Sequence, residues 1–424
     1  MVYRLPPCQA GAAARDFSAQ REPYAPSMRY ASHETAPRRF SRRPVSGTRV
    51  SMHAFACPNC HQPIHFEARL CPHCQATLGY DPVIDAFRHL TDGATRWRGE
   101  DGGAREVVVC ANNNAHAICN WLVEPDEPSH LCRACRHNRT IPDLAEPSVP
   151  PRWARIEAAK RRMVHTLLKL GLPLETKAQE APGRQGLAFD FLYDPAAEND
   201  EAPQVMTGHA SGLITLNLIE ADDAERERIR QNMGEPYRTL LGHFRHEVGH
   251  HYWSRLVETH PDCLAEFREI FGDERIDYQQ ALAEHYNGNG NTVWTDAYVS
   301  YYATSHPWED FAETWAHYLH MVDLQATAES FDLSLHLPGE STNAAPGNDI
   351  EVRFDPYRAD AATLARHMEP IAFALNSMNR AMGTGDLYPF RLSETIVAKL
   401  DFIARLVAKN RVAAGAKPRS VTTT

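Results

Sequence analysis

The run Leu241-Gly-His-Phe-Arg-His246-Glu247-Val-Gly-His250-His-Tyr-Trp253 holds the pattern His-Glu-x-x-His. Residues four apart share one face of a helix, so His246 and His250 can reach one Zn2+ with Glu247 beside them. In that chemistry two neutral nitrogens hold the metal and an open position keeps a water. The carboxylate takes that water's proton as it attacks a carbonyl. A site of this kind needs a third protein ligand. Glu309, 59 positions beyond His250, and Glu313 are four apart and share a helix face. One of them can ligate while the other orients a ligating histidine from behind. Spacing alone leaves those two roles interchangeable.

Cysteines supply a second kind of metal chemistry. Cys57-Pro-Asn-Cys60 and Cys71-Pro-His-Cys74, with ten residues between them, form two knuckles whose turns aim four sulfurs at one metal. Cys110, Cys119 and Cys132-Arg-Ala-Cys135 make a second, less regular set of four. His61, His73, His116, His130 and His137 are nearby substitutes, but four cysteines complete each set. A closed four-thiolate site leaves zinc no position for water, so both sets read as structural. Eight of the ten cysteines fall in this block; the others are Cys8 and Cys263. Such spacing suggests metal thiolates rather than a secreted disulfide framework, and hence a reducing cytoplasm.

The elements that position these residues are predominantly helical. Pro236 suits a first helical turn, and Leu240, Leu241, Phe244, Val248 and Trp253 recur at helical spacing around the His-Glu-x-x-His run. Pro307 opens a helix through His320 that carries both acids, with Phe311, Trp315 and Leu319 for packing. Before them come a helix over Arg152–Leu170, stopped by Gly171 and Pro173, and strand-like runs at Leu187–Tyr193 and Gly212–Ile219. Both runs resemble the N-terminal sheet that zincins place before the histidine helix, and that resemblance makes the second run the candidate for the edge strand beside the metal, with an internal strand as the plainer reading. Asp222–Arg230 reads as a solvated helix face and Pro261–Tyr286 as mainly helical. The glycine-rich Asn287–Asn291 reads as a loop between the two metal-binding segments, and residues 325–358 as loop-rich. Helices resume at Ala361–Met382 and Ser393–Ala408.

Composition sets the bounds. The 424 residues suffice for two or three domains, and 43% hydrophobic with 23% charged residues describes a globular chain. A net charge of −10 gives no drive toward nucleic acid, and no apolar run reaches the roughly 18 residues that span a bilayer. Residues 1–51 hold nine Arg, no Lys and three acids, with scattered Pro, Ser and Ala. They read as disordered. A transit peptide would share that composition, but the favoured reading is that translation begins at Met52. The division that follows is a double zinc ribbon over 52–140, a proline-marked linker over 141–152, a domain over 153–411 that carries the His-Glu-x-x-His run and both acids, and a frayed tail over 412–424.

The paired histidines followed by a later Glu-x-x-x-Glu helix resemble the gluzincin metallopeptidases. Glu309-Asp-Phe-Ala-Glu313 is similar to the segment carrying the third zinc ligand in the anthrax lethal-factor group. That resemblance implies Glu309 as ligand, Glu313 as the residue behind a histidine, and Tyr302, with Tyr301 second, as the phenol that steadies an oxyanion. His306 is a weaker donor. The chain also resembles the bacterial zinc-binding metallopeptidases that carry an N-terminal zinc ribbon. The matching stretches are Cys110–Pro142, Gly242–Tyr252, Phe271-Gly-Asp-Glu, Pro307–His320, Asn376-Ser-Met-Asn-Arg-Ala-Met-Gly and Leu387-Tyr-Pro-Phe. The implied fold is α+β and zincin-like, mostly helical with a small N-terminal sheet, behind a double ribbon with four cysteines per zinc. The expected function is a zinc-dependent peptidase with Glu247 as base, one catalytic and two structural zinc ions, and a peptide or protein substrate. The rival is a non-proteolytic zinc-binding adaptor whose ribbon recruits a protein partner.

Overall fold

A computed structural model describes residues 54–90, 96–97, 106–193, 207–232, 235–287, 296–336 and 349–412. The readings of 1–51, of the loop beyond Asn287 and of the tail beyond Val412 lie outside the described residues. Val412 itself donates its amide to the Gly171 carbonyl at 2.8 Å, so the last described turn is tied to the domain.

Small sheets hold the cysteines. β1 (Phe55–Ala56) pairs with β2 (Pro63–Ile64), and β3 (Thr77–Asp81) with β4 (Ala86–Leu90), both antiparallel. β5 (Arg96–Trp97), β6 (Val107–Val109) and β7 (Leu122–Val123) form a three-stranded sheet, with α1 (Ala111–His116) between the last two. Phe55, Phe66, Tyr80 and Phe87 fill the space between the hairpins and rest on Trp121.

The ribbon does not end in a free linker. β8 (Asn138–Thr140) follows Cys135 by two residues and pairs parallel with β9 (Ala188–Leu192). That places it in a four-stranded sheet with β11 (Leu213–Asn217) and β10 (Gly208–Ala210), in the order β10-β11-β9-β8. Between β8 and β9 runs α2 (Val149–Leu170), which begins inside the expected linker, with Pro150 and Pro151 in its first turn. It stops at Gly171, whose φ of +71° is open to glycine at little cost.

The sheet corrects one expectation. The run Gly212–Ile219 is internal, flanked by β10 and β9, and among the described residues the edge strands are the three-residue β10 on that side and β8 on the other. β10 carries no periodicity long enough to read from sequence.

Helices make the rest: α3 (Asp223–Asn232), α4 (Leu240–Trp253), α5 (Pro261–Phe271), α6 (Tyr278–Asn287), α7 (Pro307–Ser330), α8 (Ala361–Ala381) and α9 (Glu394–Lys409), with the β12 (Ser334–His336) and β13 (Asp349–Glu351) hairpin after α7. Pro236 lies before α4, not in its first turn; Thr239 caps α4 by accepting the Gly242 amide at 2.9 Å. α7 runs ten residues past His320, into the stretch expected to be loop, because Met321, Val322 and Ala326 stay buried. α4 packs on the sheet through Phe244, whose ring meets Phe189 at 5.6 Å, and on α7 along its opposite side. No helix among the described residues is long and apolar enough to cross a membrane.

Candidate metal centre

α4 and α7 touch at a glycine. A Cβ at Gly249 would stand 3.0 Å from Ala312 Cα and 3.2 Å from Trp315 Cβ, tighter than ordinary contact. The missing side chain lets the helices approach, and His246, His250 and Glu309 meet across that contact. His246 Nε2 lies 3.1 Å from His250 Nε2, and Glu309 Oε2 is 3.0 Å and 3.3 Å from those two nitrogens. Donor atoms about 2.0–2.1 Å from a tetrahedral zinc stand about 3.3 Å apart, so the triangle has the size the ion needs. Glu309 Oε2 is buried with no hydrogen-bond partner. Its other oxygen accepts from the Tyr278 hydroxyl at 2.9 Å.

Glu313 stands behind the histidine. Its Oε1 faces His246 Nδ1 at 2.6 Å, and its Oε2 accepts from Ser300 Oγ at 2.6 Å. A carboxylate on Nδ1 fixes the tautomer that leaves Nε2 free to bind a metal. His250 Nδ1, in contrast, is buried without a partner. Three carboxylates, Glu247, Glu309 and Glu313, therefore surround two imidazoles. Uncompensated buried carboxylates of this density are costly, and a divalent cation offsets that cost.

Glu247 is 5% exposed. Burial raises a carboxyl pKa, but the hydrogen bond and charge of His243 outweigh it and hold Glu247 down at about 2. Its Oε1 is engaged by His243 Nε2 at 3.2 Å, while Oε2 is buried and unpartnered. Tyr302 lies beside the histidines, its ring 5.9 Å from that of His246. Burial, then the Glu309 charge, raises its pKa, so the phenol keeps its proton. Tyr301 instead packs on His285 at 4.4 Å, and His306 caps α7 by accepting the Trp308 amide at 3.0 Å. The His250 ring is covered by Trp308, with centroids 3.8 Å apart.

Tyr278, Ser300, His243 and Glu220 were missed in the sequence. His243 carried a signal, since it sits four residues before Glu247 on the same helix face. The others join the site by tertiary contact and left none.

Both cysteine sets also converge. Cys57 and Cys74 sulfurs are 3.7 Å apart, Cys60 and Cys71 3.6 Å, and Cys119 and Cys132 3.7 Å. Thiolates about 2.3 Å from a tetrahedral zinc stand about 3.8 Å apart, whereas a disulfide holds its sulfurs at about 2.05 Å. In the second set the Cys132 amide points at Cys110 Sγ and the Trp121 amide at Cys119 Sγ, each at 3.4 Å. None of the five neighbouring histidines joins a cluster among the described residues. His137 Nδ1 instead bonds the Leu187 carbonyl at 2.9 Å.

Residues 150–406 match the family described as "Putative zinc-binding metallo-peptidase", and residues 54–146 match a zinc-ribbon domain. Uncharacterized proteins of Mycobacterium bovis and of two Mycobacterium tuberculosis strains are 40% identical to the chain over 356 residues, 84% of this chain and 95% of each relative. No solved structure matches the chain. With its four-cysteine clusters ahead of a His-His-Glu cluster, the chain belongs to this zinc-binding metallopeptidase family and carries its zinc-ribbon domain at the N-terminal side.

Proposed function

We propose that the chain is a gluzincin-type peptidase that hydrolyses peptide bonds of a peptide or protein substrate. It would hold zinc at three places: His246, His250 and Glu309 for catalysis, and Cys57, Cys60, Cys71, Cys74 and Cys110, Cys119, Cys132, Cys135 for structure. A reducing compartment such as the cytoplasm suits eight thiolates. The observation that carries the reading is the pairing of three converged donor atoms with the unpartnered Oε2 of the adjacent Glu247. Bound there, zinc supplies Lewis-acid polarisation of the scissile carbonyl and of a water.

The chain's own groups do the rest. Glu247 Oε2 accepts a proton from the attacking water as the new C–O bond forms, then returns it to the leaving nitrogen as the C–N bond breaks. The Tyr302 hydroxyl donates toward the oxyanion, and its raised pKa keeps that proton in place. Glu313 and Ser300 hold His246, and Tyr278 holds Glu309. Among the described residues β10 lies at an edge of the sheet, and an extended substrate can add to it as a further strand.

The test is Glu247→Gln in the full chain. Zinc content stays at the wild-type level, and cleavage of a broad peptide library drops by about 10²–10⁴-fold. Equal cleavage by the variant overturns the mechanism. A fully zinc-loaded wild-type chain that cleaves nothing favours the adaptor.

A further inference from the structure

The residue one turn before the base belongs to a chain of charged groups that reaches from the base to the sheet edge. His243 Nε2 lies 3.2 Å from Glu247 Oε1, and His243 Nδ1 lies 2.5 Å from Glu220 Oε2. Glu220, 4% exposed, sits in the turn that follows β11. Its Oε1 accepts from Thr207 Oγ1, and Thr207 immediately precedes β10. The same hydroxyl receives the Asn217 amide at 3.2 Å. Arg238 approaches Glu220 at 3.8 Å.

An imidazole between two carboxylates satisfies both only when each nitrogen carries a proton. We propose that His243 is a positioning residue, an imidazolium clamped by Glu220 that fixes Glu247 Oε1 and leaves Oε2 for the substrate water. This rests on the peptidase reading above. Three further observations support it. The engaged and free oxygens of Glu247 divide as the role requires, one on His243 and one without a partner. Burial lowers the His243 pKa, yet Glu220 and then Glu247 outweigh that and lift it to about 9, with Arg238 and Glu235 as the other charges facing this group. Glu220 is anchored through Thr207 at the start of the edge strand, so the strand expected to carry substrate and the base share one support.

The consequence is twofold. Fixed through Oε1, Glu247 cannot rotate away from the water. A standing positive charge beside it disfavours retention of the abstracted proton, which promotes transfer to the leaving amine.

The experiment uses the full zinc-loaded chain with histidine ring 15N labels, the variants His243→Gln and Glu220→Gln, and a fluorogenic peptide drawn from the library above. At neutral pH wild-type His243 shows two protonated ring nitrogens, a signal absent from His243→Gln. Both variants bind zinc as wild type does. Their kcat falls by about 10–100-fold while KM moves less than about twofold, the split of a group acting on the transition state alone. A neutral His243 ring in the wild type overturns the proposal, and so does either folded, zinc-loaded variant turning over at the wild-type rate. If the wild type cleaves no peptide, the peptidase reading fails by itself. The ring signal then still decides whether the clamp exists.

Discussion

The two cysteine clusters share a ligand set and differ in burial and in the charged groups beside them. Cys57 and Cys71 are buried in the first, but Cys60 and Cys74 are partly exposed, and the knuckles lie at the end of the ribbon remote in sequence from the helices. All four cysteines of the second are fully buried. Beside it lies α2: Cys135 Sγ is 3.8 Å from Glu157 Oε2. Burial works against the Arg161 charge, but Cys119, Glu157, Cys135 and Cys132 raise its pKa and keep it cationic. Lys160 bonds Glu157 at 2.7 Å, and Asn138 of β8 bonds the same oxygen at 2.7 Å. A four-thiolate zinc site carries two net negative charges, and α2 supplies the cations that answer them. The second cluster thus lies directly against the charged face of α2, while the first meets α2 through its neighbours, with Glu67 bonded to Arg162 and Phe66 packed on His165. A label such as "ribbon domain" hides that difference.

Three changes sharpen or break the comparison. The largest effect is expected from Cys132→Ser with Cys135→Ser. Binding at a structural zinc site is worth about 10–16 kcal/mol, and loss of that size exceeds the usual stability of a whole domain. Thermal unfolding followed by circular dichroism should show no cooperative transition. A normal melt with the second metal gone would mean that α2 and β8 stand without the cluster.

Next comes Arg161→Ala. It leaves Glu157 and the thiolates short of a cation in a buried place, at a cost of about 3–5 kcal/mol. The melting temperature should fall with all zinc still bound at low temperature. An unchanged melt would show that Lys160 alone neutralises the cluster.

The smallest effect is expected from Cys60→Ser with Cys74→Ser. One zinc is lost, the ribbon tip opens locally, and the main transition moves by about 1–2 kcal/mol, or roughly 2–8 °C. The two partly exposed thiols should also be alkylated first in the wild type after chelation. Loss of the helical transition in this variant would erase the distinction between the clusters.

What could be read directly from the sequence was local. Cys-x-x-Cys knuckles and His-Glu-x-x-His place their donors within a turn or two of one another, so spacing alone carries the geometry. Glu309 and Glu313 were legible as a pair, since four residues set one helix face. Which of them meets the histidine triangle was decided by the crossing of α7 over α4 at Gly249, a contact between segments some sixty residues apart. The sheet edge was misplaced because β10 is three residues long and owes its existence to pairing with β11, not to any pattern of its own. Tyr278 on Glu309, Ser300 on Glu313 and Glu220 on His243 escaped for the same reason.

The sequence by itself therefore determined the donor types, their grouping into three sets and the helices that bear the acids and histidines. Tertiary structure decided which carboxylate faces the nitrogens, which strand lies at the edge, and that the second cysteine set lies against the charged face of α2. Short-range spacing fixes direction within one element, but the relation between elements depends on side-chain packing summed over many distant residues.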